Sequence, residues 1–265
     1  MNLELQDKIV VISGAAGIKG SIGETMLQAL AEEGAIPAVV DRNDRGYGYV
    51  EELRSKGIDA LFIKTDVKDP AQIKHAAEEI IKKYGRVDIL INNVGVNDGV
   101  GLDGSYEDFM ESLKLNLVSY FLLAKYTLPK LIESKGNILN IGSKVACTGQ
   151  GGTSGYAASK GGVLALTREW AVDLINHPVR VNAIIVAESW TPAYDNWIKT
   201  LDNPEEKLKS IVDKIPLEKR MTTPREIADM ALFLISGRAS HITGQQVFVD
   251  GGYVHLDRAL LSDDS

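Results

Sequence analysis

Seven short apolar runs divide the chain: residues 8–13, 36–40, 60–65, 87–91, 137–141, 179–186 and 246–249. They are rich in Val and Ile, and most stop at Gly, Asp or Asn. Short apolar runs bounded by turn residues fit buried strands, where branched side chains pack well on the pleated surface. Between them, apolar positions recur with a period near 3.6, which predicts helices over 24–33, 45–56, 70–84, 105–125, 156–174 and 223–236. Gly34 follows the first helix as a stop signal, and Thr223 with Pro224 opens the last as cap and first position.

Strands and helices alternate with no internal repeat, low-complexity tract or linker. That order predicts a single α/β domain: a Rossmann-like, doubly wound parallel sheet with helices on both faces. In such sheets ligands bind beyond the carboxyl ends of the strands. Asp41, Asp66, Asn93 and Ser143 all fall at that edge. The first strand runs into Gly14-Ala-Ala-Gly-Ile-Lys19-Gly20-Ser21-Ile22-Gly23 and then a helix. Glycines let a backbone approach a pyrophosphate, and a helix start presents free N–H groups to it, so this turn is a dinucleotide candidate. Asp41, eighteen residues past Gly23, sits near the spacing at which a carboxylate meets the adenosine ribose of NAD. Lys19 and Arg42 are the groups that could instead face the extra phosphate of NADP.

The stretch 143–160 carries the chemistry. Ser143 ends a strand, and Tyr156 and Lys160 lie one helical turn apart on one face. An ammonium beside the phenol is expected to lower its pKa from ~10. A tyrosine tuned in this way can exchange a proton with a substrate hydroxyl near neutral pH.

Composition narrows the remaining choices. A net charge of −7 with no long basic run argues against nucleic acid as a partner. No window approaches the ~20 unbroken apolar residues of a membrane span, and the amino terminus has no signal-peptide core, so neither a membrane nor export is expected. The lone Cys147 fits a reducing compartment, the cytoplasm. The four histidines form no metal-ligand spacing, so no metal is expected.

With these residues in place, the chain resembles the short-chain dehydrogenase/reductase family over almost all its length. The matching features are the 14–23 turn, Asp66, Asn92-Asn93-Val94-Gly95, Asn116, Ser143, Tyr156-x-x-x-Lys160, Arg180-Val181-Asn182, Thr191, Gly244 and Asp250-Gly251-Gly252. The resemblance implies that Tyr156 is the general acid/base, that Lys160 tunes it and binds the nicotinamide ribose, and that Ser143 orients the substrate oxygen. It also implies that Asn116 holds a water on a path from Lys160 to solvent. Asp66, Val67, Asn93 and Gly95 would line the adenosine side, and Ser189 and Thr191 the nicotinamide and diphosphate. A homotetramer built through the helices carrying Asn116 and Tyr156 is implied as well. Three positions depart from the family pattern. The glycine turn is about two residues longer, Val94 replaces an alanine, and Val186-Ala187 replaces a Pro-Gly pair.

Within the family, 95–99, 148–151, 188–192 and 252–258 are similar to bacterial L-fucose dehydrogenases. That resemblance implies oxidation of the anomeric hydroxyl of an aldose, L-fucose or a stereochemically related sugar, to its lactone with NAD, or with NADP. The alternative is an NAD(P)H-dependent reductase of a keto sugar acid or other small carbonyl compound. Asn97, Gln150, Glu188, Trp190, Tyr194 and Trp197 then join Ser143 and Tyr156 as candidate substrate residues, with a lid at about 190–216.

Overall fold

The computed structural model describes residues 2–257; the part of the 252–258 stretch at Arg258 lies outside them. Seven strands, β1 (Ile9–Ser13), β2 (Ile36–Asp41), β3 (Leu61–Lys64), β4 (Ile89–Asn92), β5 (Asn137–Ser143), β6 (Arg180–Val186) and β7 (Gln246–Val249), form one sheet in the order β3-β2-β1-β4-β5-β6-β7. Every pairing is parallel. Strands buried on both faces need apolar side chains in both directions. Along β1, Val10 and Ile12 therefore pack into one core while Val11 packs into the other.

Helices α1 (Ile22–Glu32), α2 (Arg45–Ser55) and α9 (Pro224–Ile235) cover the first face. The second is covered by α3 (Pro70–Tyr84), α5 (Ser119–Ser134) and α6 (Ser154–Asp173), with α4 (Tyr106–Leu113) against α6. Thr223 and Glu226 close a reciprocal capping box on α9. The 190–216 segment carries two short helices, α7 (Pro192–Ile198) and α8 (Pro204–Val212). Among the described residues no helix is long and apolar enough to cross a membrane.

The helix expected over 105–125 differs in two ways. A π-turn, Lys114–Val118, separates α4 from α5, and α5 continues to Ser134. Pro129 lies inside α5 and leaves one carbonyl a turn earlier without its helical donor. The buried face of Leu123, Thr127 and Leu131 keeps the helix going past it. The π-turn places Asn116, 0% exposed, against the chain leaving β4. Single π-turns of this kind concentrate at functional sites.

Strand order reverses between β1 and β4, and the glycine turn leaves the sheet at that switch point. Asn93 Nδ2 donates to the carbonyls of Ser13 and Gly14, both at 3.0 Å. Gly14 takes φ +71°, and a Cβ there would lie 2.8 Å from Val94 Cα. A Cβ on Gly23 would lie 2.3 Å from the Gly14 carbonyl oxygen and 2.5 Å from Asn93 Nδ2. Gly23→Ala is therefore expected to lower stability by ~1–3 kcal/mol, the usual cost of overpacking a rigid site. Urea unfolding measures this, and an unchanged midpoint would refute the packing argument.

Candidate active site

The first turn of α1 and the loop before it form the dinucleotide end of the site. Ser21 caps α1, and Ile22 opens it, so Ile22 presents a first-turn amide with no intrahelical partner. The helix begins two residues earlier than the sequence pattern suggested, which places Ile22 and Gly23 in the helix. Not every amide of the long turn is free for an anion. The Gly20 amide donates to buried Glu24 Oε2 at 2.8 Å, and the Ser21 amide to the Ile18 carbonyl at 2.9 Å. Gly20, at φ +85°, faces Pro192 across the cleft, where an added Cβ would stand 3.7 Å from the proline ring. A close backbone turn, a helix start and the Thr191-Pro192 wall fit a diphosphate between them.

Asp41 is tied to this turn: Oδ2 accepts from the Ala16 amide at 2.9 Å and Oδ1 from the Asn43 amide at 3.0 Å. A carboxylate has about four lone-pair sites, so two such bonds leave capacity for a ribose diol. Two residues that the sequence pattern did not single out hold the lengthened loop. Arg45 Nε donates to the carbonyls of Ala16 and Gly17 at 3.3 and 3.2 Å, and the Tyr49 hydroxyl to Gly17 at 2.9 Å. Both stand on α2, just past Asp41. Lys19 and Arg42 are exposed. Asp66 Oδ1 accepts from the Lys68 amide at 3.0 Å, and Val67 is buried.

Ser143 ends β5 and is a hydrogen-bond partner of the Tyr156 phenol. Lys160 is 1% exposed; its Nζ donates to the Ile141 carbonyl at 2.8 Å and the Tyr120 hydroxyl at 3.1 Å, and lies 5.7 Å from the Tyr156 ring centre. A Cβ on Gly95 would come within 3.2 Å of Nζ, so glycine at this position leaves room for the ammonium. Ser143, Tyr156, Lys160 and Gly95 thus meet at the carboxyl edge.

The electrostatics correct one expectation. The phenol of Tyr156 is pushed up, chiefly by burial; Ser143 pulls it down and nearby Asp98 raises it further. Lys160 Nζ spends its hydrogen bonds on Tyr120 and Ile141 and not on the phenol. Burial also draws Lys160 itself down to about 7. Tyr120, fully buried, is held far above its ordinary range by burial and by Tyr156.

Several expected site residues spend their side chains on the scaffold. Asn116 Oδ1 accepts from the Val96 amide at 2.8 Å, and its Nδ2 donates to the Val96 and Ser112 carbonyls, each at 3.1 Å. The amide therefore clamps the loop after β4. The Ser189 hydroxyl donates to the Thr222 carbonyl at 3.0 Å, and Thr191 Oγ1 caps α7 by accepting from the Tyr194 amide at 3.2 Å. Asn97 and Gln150 lie on exposed loops.

Trp190, Tyr194 and Trp197 form an aromatic ladder, with ring centres 6.2 and 5.1 Å apart. Beside it, Glu188 pairs with Lys144, a residue that sequence reasoning missed, and hydrogen-bonds Tyr194. A groove of about 670 Å³ lies at the opposite edge of the sheet, around Lys8, Asp88 and Arg180, and includes none of the catalytic candidates. Among the described residues, no group of His, Cys, Asp and Glu could hold a metal.

The family model described as enoyl-(acyl carrier protein) reductase matches residues 14–254. A 3-oxoacyl-[acyl-carrier-protein] reductase from Thermotoga maritima is 34% identical over 95% of this chain and 100% of its own length. An L-fucose dehydrogenase from Oryctolagus cuniculus is 35% identical over 92% of this chain and 84% of its own. Among solved structures, Cj0485 dehydrogenase has a TM-score of 0.94 at 40% identity, covering 99% of this chain and 100% of that one. L-sorbose reductase from Gluconobacter frateurii, solved with NADPH and L-sorbose, has a TM-score of 0.91 at 27% identity, covering 97% and 100%.

The buried lysine yields a stability prediction. A lysine whose folded pKa lies below its unfolded value of ~10.4 penalises folding while it is protonated in both states. That penalty is full below about 7 and fades as pH rises from there towards the unfolded value. Lys160→Met removes the group, so the variant's stability relative to the parent should be more favourable at pH 6 than at pH 9. Urea titrations at the two pH values measure the difference; a difference independent of pH would contradict the assignment.

Proposed function

The chain belongs to the short-chain dehydrogenase/reductase family of NAD(P)-dependent oxidoreductases, and we propose that it oxidises the anomeric hydroxyl of a free aldose to the lactone. L-Fucose, or an aldose of related ring stereochemistry, is the proposed substrate. The observation that carries this reading is the juxtaposition of Ser143, Tyr156 and Lys160 with a wall that is both aromatic and charged. Ring faces suit the C–H side of a sugar, and polar groups answer its hydroxyls. The similarity to an L-fucose dehydrogenase supports the same reading.

A bound oxidised dinucleotide supplies the hydride acceptor and an adjacent positive charge. Ser143 holds the substrate oxygen against Tyr156 through the hydrogen bond the two hydroxyls already share. Tyr156, as phenolate, takes the anomeric O–H proton as the C1–H bond breaks and the lactone carbonyl forms. Because burial raises the phenol, its ionisation depends on positive charge brought into the site and on Ser143. Lys160 lies one turn beyond Tyr156, with its ammonium held by Ile141 and Tyr120. Gly20, Ser21, Ile22 and Thr191 would flank the diphosphate, and Asp41 the adenosine ribose. A carboxylate at Asp41 repels a 2′-phosphate, which favours NAD over NADP.

The rival reading is reduction of a keto sugar acid or other small carbonyl compound. The 3-oxoacyl reductase and the L-sorbose reductase favour it, and Ser143, Tyr156 and Lys160 serve either direction equally. We also propose a cytoplasmic homotetramer. Exposed Val118 and Phe121 beside Asn116, and Val172 on the helix of Tyr156, support association through those helices. The free thiol of Cys147 fits a reducing compartment.

The first experiment follows NAD and NADP reduction by purified protein on L-fucose, L-galactose and D-arabinose. Turnover is expected with NAD, and Tyr156→Phe should reduce kcat by about 10²–10⁴-fold while dinucleotide binding survives. Near-normal turnover in that variant would refute the role of Tyr156. In the same assay, Asp41→Ala should narrow the preference for NAD, and an unchanged preference would remove Asp41 from cofactor choice.

A further inference from the structure

Lys144 and Glu188 sit where the two central substrate-side strands end. Ser143 is in register with Val186, the last rung of the β5–β6 ladder, so Lys144 is one residue beyond it and Glu188 two. The side chains form an ion pair that is 10% and 14% exposed. Lys144 is adjacent in sequence to Ser143, and Glu188, itself an expected substrate residue, to Ser189.

Stability alone gives little reason for such a pair. Removing two charges from water is costly, and an apolar pair of similar volume often serves the fold as well or better. The surroundings hold the charges in place. The Tyr194 hydroxyl bonds Glu188, and the Lys144 ammonium lies 4.4 Å from the centre of the Tyr253 ring. Tyr194 also belongs to the aromatic ladder with Trp190 and Trp197. The pair is therefore fixed from three directions: the end of β5, the start of α7 and the segment after β7.

Among the described residues, the side-chain contacts of the pair leave part of its hydrogen-bonding capacity for a ligand. An ammonium has three protons; here one goes to Glu188 and the tyrosine ring takes the cation's face. A carboxylate has about four acceptor sites; here Lys144 and Tyr194 use two. Donor and acceptor capacity remains on each side, a residue away from the oxygen-binding Ser143.

We propose that Lys144 and Glu188 read ring hydroxyls of the substrate at carbons away from the reacting one, and so set the enzyme's selectivity for a polyhydroxylated substrate over an acyl chain. This rests on the sugar reading above and names the groups that enforce it. Glu188 accepts from ring hydroxyls, and Lys144 donates to a ring or hydroxyl oxygen. An acyl chain laid against the pair would strip its water and return no hydrogen bond, which disfavours the substrates of the acyl-carrier reductases. A site built to bond a hydroxyl rejects the analogue that lacks it far more strongly than an apolar pocket rejects a missing methylene.

The test compares each active aldose with its singly deoxygenated analogues. The parent protein, Glu188→Gln and the double variant Lys144→Met/Glu188→Leu are used; the double variant leaves no orphan charge. Dinucleotide binding confirms that each variant is folded. In the parent, deleting one or two particular hydroxyls should lower kcat/KM by about 10²-fold or more. In both variants that parent-to-deoxy ratio should collapse towards one, mainly because the full aldose loses activity. A variant that turns over the aldose with the ratio intact overturns this assignment and leaves the sugar reading standing. Absence of turnover on every aldose by the parent, with a small ketone reduced instead, removes both.

Discussion

Lys160 is a lysine with almost no contact with water, and the arrangement of the site follows from how its ammonium is held. A buried cation needs partners. Here they are the Ile141 carbonyl near the end of β5 and the Tyr120 hydroxyl of α5. Each partner fixes further elements. Tyr120 also donates towards the Val94 and Ile141 carbonyls, at 2.9 and 3.2 Å, which ties the chain leaving β4 to β5. Gly95 leaves room for the ammonium, and Asn116 in the π-turn clamps Val96 immediately beyond it. The lysine is thus the meeting point of β4, β5, α5 and α6, and Tyr156, one turn before it, is placed by the same contacts.

The parallel sheet gives these contacts their common edge. Its strands leave the core at Ser13, Asp41, Asn92, Ser143 and Val186, so the groups just beyond them converge without being near one another in sequence. Asn93 joins the β1 and β4 ends at the switch point, and Arg45 and Tyr49 hold the long glycine turn from outside. On the proposed reading, dinucleotide, substrate oxygen and ring hydroxyls would take separate stretches of one edge: the β1–β2 loops, the Ser143–Tyr156 pair, and the Lys144–Glu188 corner beside the aromatic ladder.

Local features were readable from the chain alone. The apolar runs gave all seven strands to within a few residues, and the glycine turn and the Tyr156–Lys160 spacing each lie within one element. What escaped was set by distance in sequence. Lys144 looks like an ordinary loop lysine until Glu188, forty-four residues away, is brought beside it. Tyr120 reads as one more apolar position on a helix until its hydroxyl meets Lys160. The phenol pKa expected to fall beside Lys160 is instead raised, chiefly because packing from distant elements buries Tyr156. Spacing fixes the separation of Tyr156 and Lys160 along the helix, but the ammonium's direction is decided by Ile141 and Tyr120. The π-turn, too, has no local signature; its Asn116 meets Val96, twenty residues away in sequence.

In the proposed reaction, hydride leaves the anomeric carbon of an aldose while Tyr156 takes the hydroxyl proton. The most direct measurement uses an aldose deuterated at C1 and follows the label by mass spectrometry. One deuterium in the reduced nicotinamide, an unlabelled lactone, and loss of both products in Tyr156→Phe are expected. Reduced cofactor without deuterium, or a lactone that keeps it, would rule out hydride transfer from C1.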